Sequence, residues 1–136
     1  MGSLAKIKDS IAKDYEALFE KAMAAGREAG NNAKCVPMVV GIPTSLFSNE
    51  IDRSKPVYVV NDGVCGFATI QGLKGNTTFG KWLLKSNKGR KGYPSGIYIG
   101  SPICSQSLTR NEAACDAAVK VLRDAGIACY VNSRID

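Results

Sequence analysis

The longest periodic feature of the chain is an amphipathic pattern from Ser3 to Glu28, and it constrains the fold more than any other. Apolar residues recur there at intervals of three and four, namely Leu4, Ile7, Ile11, Tyr15, Leu18, Ala22 and Met23. That spacing predicts an α-helix with one apolar face, which the turn-forming run Gly30-Asn31-Asn32 ends. The apolar face must be covered either by the protein's own sheet or by a second chain, and the small residues around Gly26 would permit close backbone approach.

The rest of the chain alternates short strand patterns with two further helices. The first part of this region predicts an edge strand or extended arm at 36–40, a loop at 42–55, and a strand at 57–60 that a tight turn at 61–63 joins to its hairpin partner at 65–70. A short helix capped by Thr77 or Thr78 and a strand at 97–99 are predicted next. The last elements are a helix, which runs from a capping box at Thr109 and Glu112 to a stop at Gly126, and a strand at 127–131. This order predicts an α+β fold, with a small, mainly antiparallel sheet and two helices on one face.

Length and composition set the domain organisation and the expected compartment. The 136 residues are enough for one domain, with residues 1–30 as the N-terminal helix and residues 36–136 as the α+β core. No segment approaches the ~20 apolar residues that cross a bilayer, and the N-terminus lacks the order of a signal peptide. We therefore expect a cytoplasmic protein with no membrane partner.

Residue usage argues against histidine- or metal-based chemistry. The sequence contains no histidine, the commonest general base and metal ligand. Its five cysteines are widely spaced and form no Cys-x-x-Cys pair, so neither a zinc site nor a cofactor is expected. Cys65 would need a basic partner to act as a nucleophile, and nothing in the sequence supplies one. The sequence therefore predicts a binding protein rather than an enzyme.

The positive charge is concentrated in one short stretch. The net charge is +6, and the segment from Lys74 to Lys91 carries six basic residues and no acidic one. Such a concentrated positive field attracts phosphate-bearing partners. A solvated basic loop that serves solubility remains an equally good interpretation.

Two predicted helix starts could hold an anion. Gln106, Ser107 and Arg110 lie at the start of the last helix, where free backbone N–H groups and the helix dipole favour negative charge. Simple capping, with Arg110 in solvent, is the alternative. Asn76 and Phe79 open the short helix beside the basic stretch. Phe79 could stack on a base or belong to the core, and Asn76 could be a ligand contact or a cap.

Several short motifs, taken in order, resemble those of a family of small tailed-phage proteins. They are the segment Gly63-Val64-Cys65-Gly66-Phe67-Ala68, the segment Gly75-Asn76-Thr77-Thr78-Phe79, the pair Gln106-Ser107 followed by Arg110, and Arg134 with Asp136. More narrowly, the chain resembles the phage Thoeris anti-defence sponges, which bind glycocyclic ADP-ribose without degrading it and are homo-oligomers with the signal held between protomers. Some of them also hold cyclic oligonucleotides.

The resemblance implies a role for each matching residue. Phe79 would stack on adenine, and Arg110 would bind the diphosphate with help from Gln106 and Ser107. Asn76 and Arg90 would contact ribose or phosphate, and Arg134 and Asp136 would complete the pocket. The implied partner is a small cyclic nucleotide in the cytoplasm of an infected bacterium.

Three other functions remain open from the residues alone. The stretch from Lys74 to Lys91 could bind the phosphates of a nucleic acid, which would make binding strongly salt-dependent. A small enzyme acting through Cys65 or a carboxylate would form a product. A host-inhibiting or virion protein would act through protein contacts and bind no small molecule.

Overall fold

The computed structural model describes residues 3–41, 43, 50–52, 54–60, 62–93 and 95–136. In chain order the elements are α1 (Ser3–Asn32), β1 (Met38–Val40), β2 (Tyr58–Val60), β3 (Gly66–Leu73), α2 (Thr78–Lys85), β4 (Arg90–Lys91), β5 (Ile97–Gly100), α3 (Leu108–Asp124) and β6 (Tyr130–Ile135). The predicted α+β fold is confirmed. The predicted loop at 42–55 lies largely outside the described residues.

The first helix folds back onto its own domain through its C-terminal half. Phe19, Ala22 and Met23 are buried in the main core. A methyl group added at Gly26 would lie 2.7 Å from the carbonyl oxygen of Ala114 in α3, so the two backbones approach closely. The small residues therefore serve packing within the chain here. The side chains of Leu4 and Ile7, which begin the predicted stripe, lie outside the described part.

The main sheet has four strands in the order β4-β5-β3-β6, and every neighbouring pair is antiparallel. From β3 onward the elements alternate as β-α-β-β-α-β, which is the split βαβ arrangement of ferredoxin-like domains. This order places β3 and β5 in the centre. β6, the last strand in the chain, lies beside β3.

The sequence-based hairpin between 57–60 and 65–70 is wrong. β2 pairs with β1 in a separate two-stranded ribbon, with Val39 opposite Val59. The chain leaves the ribbon at Gly63, whose φ is +76°. It is then tied to the start of α3, because Leu108 N donates to Val64 O at 2.9 Å and Gly66 N donates to Gln106 O at 3.0 Å. These long-range bonds direct β3 into the main sheet.

The helices cover one face of the main sheet, as predicted. Their buried residues and those of the sheet form one cluster, including Ile70, Leu73, Leu83, Ile97, Ile99, Ala118 and Leu122. Complete burial of a large aliphatic side chain contributes ~1.5–3 kcal/mol, so this layer carries much of the stability. No described helix lies on the opposite face of the sheet, so the described helices leave that face open.

The helix ends are partly as predicted. Thr77 caps α2, since its side chain accepts a hydrogen bond from Gly80 N at 3.0 Å. Gly126, at φ +88°, follows the end of α3 and confirms the predicted stop. The predicted capping box at Thr109 is wrong, because α3 begins two residues earlier with Ser107 as its N-cap.

The polar C-terminal segment is ordered as a strand. Chain termini are commonly frayed, yet β6 runs to Ile135 and pairs with β3 from Gln71↔Tyr130 to Gly66↔Ile135. Asp136 N then donates to Cys65 O at 3.1 Å. Backbone pairing with a central strand therefore outweighs the polar composition of the segment.

Candidate ligand-binding face of the sheet

The open face of the main sheet arises from the two-residue alternation of β3. Ala68 and Ile70 point into the core, so Phe67, Thr69 and Gln71 lie on the opposite side. Pairing with β6 extends these residues into rows, with Phe67 opposite Arg134, Thr69 opposite Asn132, and Gln71 opposite Tyr130. On β5, Ile99 pairs with Ile70, which places Tyr98 beside the Gln71 row.

Aromatic rings therefore mark both ends of the open face. Phe67 lies at one end, and Tyr98 and Tyr130 lie at the other. The two rows are four residue steps apart along β3, from Phe67 to Gln71, or about 13 Å at ~3.3 Å per step. The row between them holds only small or polar side chains, those of Thr69 and Asn132. We call the ring of Phe67 one aromatic station and the rings of Tyr98 and Tyr130 the other; the polar row of Thr69 and Asn132 lies between the two stations.

Both aromatic stations are accessible to a ligand. Phe67 is 48% exposed and Tyr130 is 50% exposed. Tyr130 lies against the backbone at Gly72, where an added methyl group would come within 2.6 Å of the ring. Phe67 carries the guanidinium of Arg134 at 5.9 Å from its centroid, within the range of a cation–π contact. Phe67 and Tyr130 thus each have a neighbour on the sheet and still present surface to solvent.

A concavity of about 770 Å³ covers this face. Its described lining contains three cations, Lys74, Lys91 and Arg134, and no aspartate or glutamate. The register places Lys74 and Lys91 at the Tyr98 end and Arg134 at the Phe67 end. Cavities of ~300–1,000 Å³ are typical of small-molecule sites. The lining suits a ligand that carries flat rings and negative charge.

The predicted anion site at the start of α3 is occupied by the protein's own groups. The guanidinium of Arg110 donates to Gly30 O at 3.1 Å and to Asn31 O at 3.0 Å, at the end of α1. Its Nε atom also donates to the carboxylate of Asp62 at 3.3 Å. The structure therefore gives Arg110 a role in joining α1 to α3.

The two residues that were predicted to assist Arg110 have separate positions. Ser107 is buried, and its hydroxyl donates to Asp62 O at 2.8 Å and accepts from Arg110 N at 3.4 Å. Gln106 is exposed and lines a smaller concavity that shares Phe67 with the open face. Of these two residues, Gln106 is the one available to a ligand beside the sheet.

The structure corrects the expectation that Phe79 offers its ring to a base. Phe79 is 4% exposed, and its ring packs against Tyr15 and Trp82 at centroid distances of 5.2 and 5.7 Å. It belongs to the core because α2 packs its apolar side inward. Asn76 is exposed in the turn before α2 and is not among the residues that line the open face.

The remaining predicted residues are distributed over the sheet. Arg134 lies on the open face. Arg90 is exposed on β4 directly opposite Tyr98, so the register puts it on the same side of the sheet as Tyr98, although the lining of the concavity does not include it. Asp136 follows β6 beside Cys65. The structure thus brings four of the eight predicted residues together around the segment from Cys65 to Phe67, namely Gln106, Ser107, Arg134 and Asp136. Asn76, Phe79 and Arg90 lie elsewhere.

The sequence analysis missed the aromatic residues Phe67, Tyr98 and Tyr130 as functional candidates. A signal was available, because Phe67, Thr69 and Gln71 alternate with Ala68 and Ile70 as on a strand with one buried face. The assignment of 65–70 to a hairpin with 57–60 concealed this pattern.

The cysteines divide into accessible and buried thiols. Cys65 and Cys104 are exposed, whereas Cys115 and Cys129 are buried. Burial raises the pKa of the Cys115 thiol from its ordinary value of 9.0 to about 11, and it also raises the pKa of Cys129. Because both pKa values are raised, a thiolate is disfavoured at Cys115 and at Cys129.

Within the described residues, no three His, Cys, Asp or Glu side chains come together as a metal site would require.

The chain matches no family model, no curated protein and no solved structure. None of the described helices has the length and apolarity needed to cross a membrane. The fold and the site define the protein as an α+β domain whose open sheet face carries aromatic and cationic residues.

Proposed function

We propose that this protein binds a cyclic nucleotide immune signal, of the glycocyclic ADP-ribose type or a cyclic oligonucleotide, and sequesters it without converting it. The observation that carries the proposal is the open sheet face, which combines exposed aromatic rings with three cations and no acid in its described lining. Base stacking on aromatic rings contributes ~1–3 kcal/mol per base, and arginine binds phosphate in a bidentate manner. The sequence resemblance to phage anti-defence sponges supports the same ligand class.

Sequestration requires affinity rather than turnover. A nanomolar dissociation constant corresponds to about −12 kcal/mol. A cyclic oligonucleotide with bases on both stations and two or three phosphate contacts could approach that value. The absence of histidine from the sequence is no handicap to such a protein. We place the base either on Phe67, with the phosphates on Arg134, or on the Tyr98 and Tyr130 pair, with the phosphates on Lys74 and Lys91. The protein would act in the cytoplasm of an infected bacterium.

A homo-oligomeric state forms part of the same proposal. β6 is an outer strand of the sheet, and its Tyr130 and Ile135 side chains are 50% and 69% exposed. An exposed strand edge with apolar side chains is suited to pairing with another copy. Such pairing would bring two open faces side by side and enclose more of the ligand.

The test is calorimetric titration with glycocyclic ADP-ribose and a panel of cyclic di- and trinucleotides, at a protein mass fixed by light scattering. We expect tight binding to an oligomer and recovery of unaltered ligand after heat denaturation. Arg134→Gln should weaken binding roughly 10- to 150-fold, the equivalent of ~1.5–3 kcal/mol for a hydrogen bond to a charged group. Lys120→Ala, at an exposed position on α3, is the charge-matched control and should leave affinity unchanged.

Three results would contradict the proposal. Absence of binding across the panel would exclude a cyclic nucleotide ligand. Recovery of a converted ligand would indicate an enzyme. Equal effects of Arg134→Gln and Lys120→Ala would show that binding does not depend on the open face.

A further inference from the structure

We propose that the open sheet face also binds single-stranded nucleic acid, with bases stacked on both aromatic stations. This goes beyond the sequestering function and does not depend on it, because it concerns a polymer rather than a cyclic signal. It also differs from binding by the basic stretch alone, since the bases and not only the phosphates are held. RNA and DNA share the required chemistry.

The spacing of the rings favours a ligand longer than one nucleotide. The row of Phe67 and the row of Tyr98 and Tyr130 are about 13 Å apart, four residues at ~3.3 Å each. Stacked nucleotides rise ~3.4 Å each along a strand, so the stations lie about four stacked steps apart, and fewer when the strand is extended. A mononucleotide can therefore occupy one station only. A short oligonucleotide can occupy both.

The two stations lie on neighbouring strands of a four-stranded antiparallel sheet. Phe67 is on β3 and Tyr98 is on β5, the two central strands, while Tyr130 is on the adjoining β6. A four-stranded sheet with exposed aromatic residues is one of the general ways in which proteins hold unpaired bases. The neutral side chains between the stations, those of Thr69 and Asn132, can bond to base edges or to sugars.

The distribution of charge matches a polyanion that crosses the face. Lys74 and Lys91 lie at one end and Arg134 at the other, with no acid in the described lining between them. A strand with bases on both stations would pass a cation at each end. An apolar protein partner would not require cations at both ends of its site. An acidic peptide would account for the cations but not for two separated rings.

A duplex is a poor fit to the same face. Its bases are stacked on one another and offer no free surface to Phe67 or Tyr130. Only its phosphates could bind, through Lys74, Lys91 and Arg134. The geometry therefore predicts a preference for single strands, with a dependence on length that a purely electrostatic site would not show.

The test is fluorescence anisotropy with end-labelled uridine and thymidine hexanucleotides, competed by the mono-, di-, tri- and tetranucleotides and by a duplex of matched charge. We expect affinity to rise steeply between one and four nucleotides and then to level off. With three phosphates neutralised, log K should fall with log salt at a slope of about −2, or roughly 20-fold between ~50 and ~200 mM. Comparison of the two hexanucleotides shows whether RNA or DNA is preferred.

Ring-removing variants test the stacking directly. Phe67→Leu and Tyr130→Leu keep apolar bulk at half-exposed positions but remove the aromatic surface, and each should weaken hexanucleotide binding about 5- to 150-fold. Tyr130→Phe should retain binding. Lys120→Ala controls for general loss of positive charge. Thermal unfolding of each variant establishes that the sheet is intact.

Each remaining outcome overturns the inference. No hexanucleotide binding at low salt would exclude a nucleic-acid site. Equal affinity for duplex and single strand, or no effect of the leucine variants, would show that the face binds phosphates through its positive charge alone and does not stack bases. Competition by a mononucleotide as strong as by a tetranucleotide would exclude use of both stations. The cyclic nucleotides are titrated in a separate experiment. If none of them binds, the hexanucleotide results still decide whether the open face binds single strands.

Discussion

Replacement of Arg110 by alanine separates a structural role from a ligand-binding role. The guanidinium donates two hydrogen bonds to the terminal carbonyls of α1, at Gly30 and Asn31, and one to the carboxylate of Asp62. Charged hydrogen bonds contribute ~1.5–3 kcal/mol, while an exposed ion pair adds at most ~1 kcal/mol. Because the side chain is 28% exposed, we expect Arg110→Ala to lower the free energy of unfolding by about 2–4 kcal/mol.

Urea unfolding provides the measurement. Trp82 is the only tryptophan, and it packs against Phe19 of α1, so its fluorescence reports loss of the core that α1 covers. Arg110→Lys keeps the charge but has a single donor group, and it should lose about half as much stability. Lys120→Ala on the same helix should change stability by less than ~0.5 kcal/mol.

Binding by the folded fraction completes the experiment. If Arg110 acts only by joining α1 to α3, folded Arg110→Ala protein should bind the ligand as the unmodified protein does. Unchanged stability together with abolished binding would refute this reasoning, and would restore the sequence-based site at the start of α3.

Two further predictions concern packing and pH. Gly26→Val should destabilise the protein by several kcal/mol in urea unfolding, because its Cβ would lie 2.7 Å from the carbonyl oxygen of Ala114; a stable variant would show that α1 can shift away from α3. Stability should also fall as pH rises from about 9 to 11, since the unfolded Cys115 thiol ionises above its ordinary pKa of 9.0 while the folded thiol holds its proton to about 11. The loss is at most ~3 kcal/mol, and a Cys115→Ala variant that lost as much would exclude this thiol as the cause.

The helices were the most predictable part of the fold. The apolar spacing in α1 and the stop at Gly126 are local signals, and local signals determine where a helix forms. The start of α3 was misplaced because Ser107 caps the helix while also bonding to Asp62, a residue distant in sequence. Sequence spacing alone does not reveal that contact.

Strand pairing and the site could be predicted only in part. The strands at 57–60 and 97–99 were recognisable from their residues, but the partner of β3 was not. Arg134 was identified from a motif, yet its position opposite Phe67 depends on a register between distant strands. Phe79 was misassigned for a related reason, because an aromatic residue beside a basic stretch gives the same pattern whether it is buried or exposed.

The position of β6 beside β3 has a kinetic consequence. The paired residues are about 60–70 positions apart in sequence, from Gln71↔Tyr130 to Gly66↔Ile135. Such distant contacts slow folding, because a long loop must close before the pairing contributes stability. The open face is built from both of these strands, so it cannot exist in a partly folded chain. Any ligand held there should therefore slow global unfolding of the whole domain rather than protect a local segment.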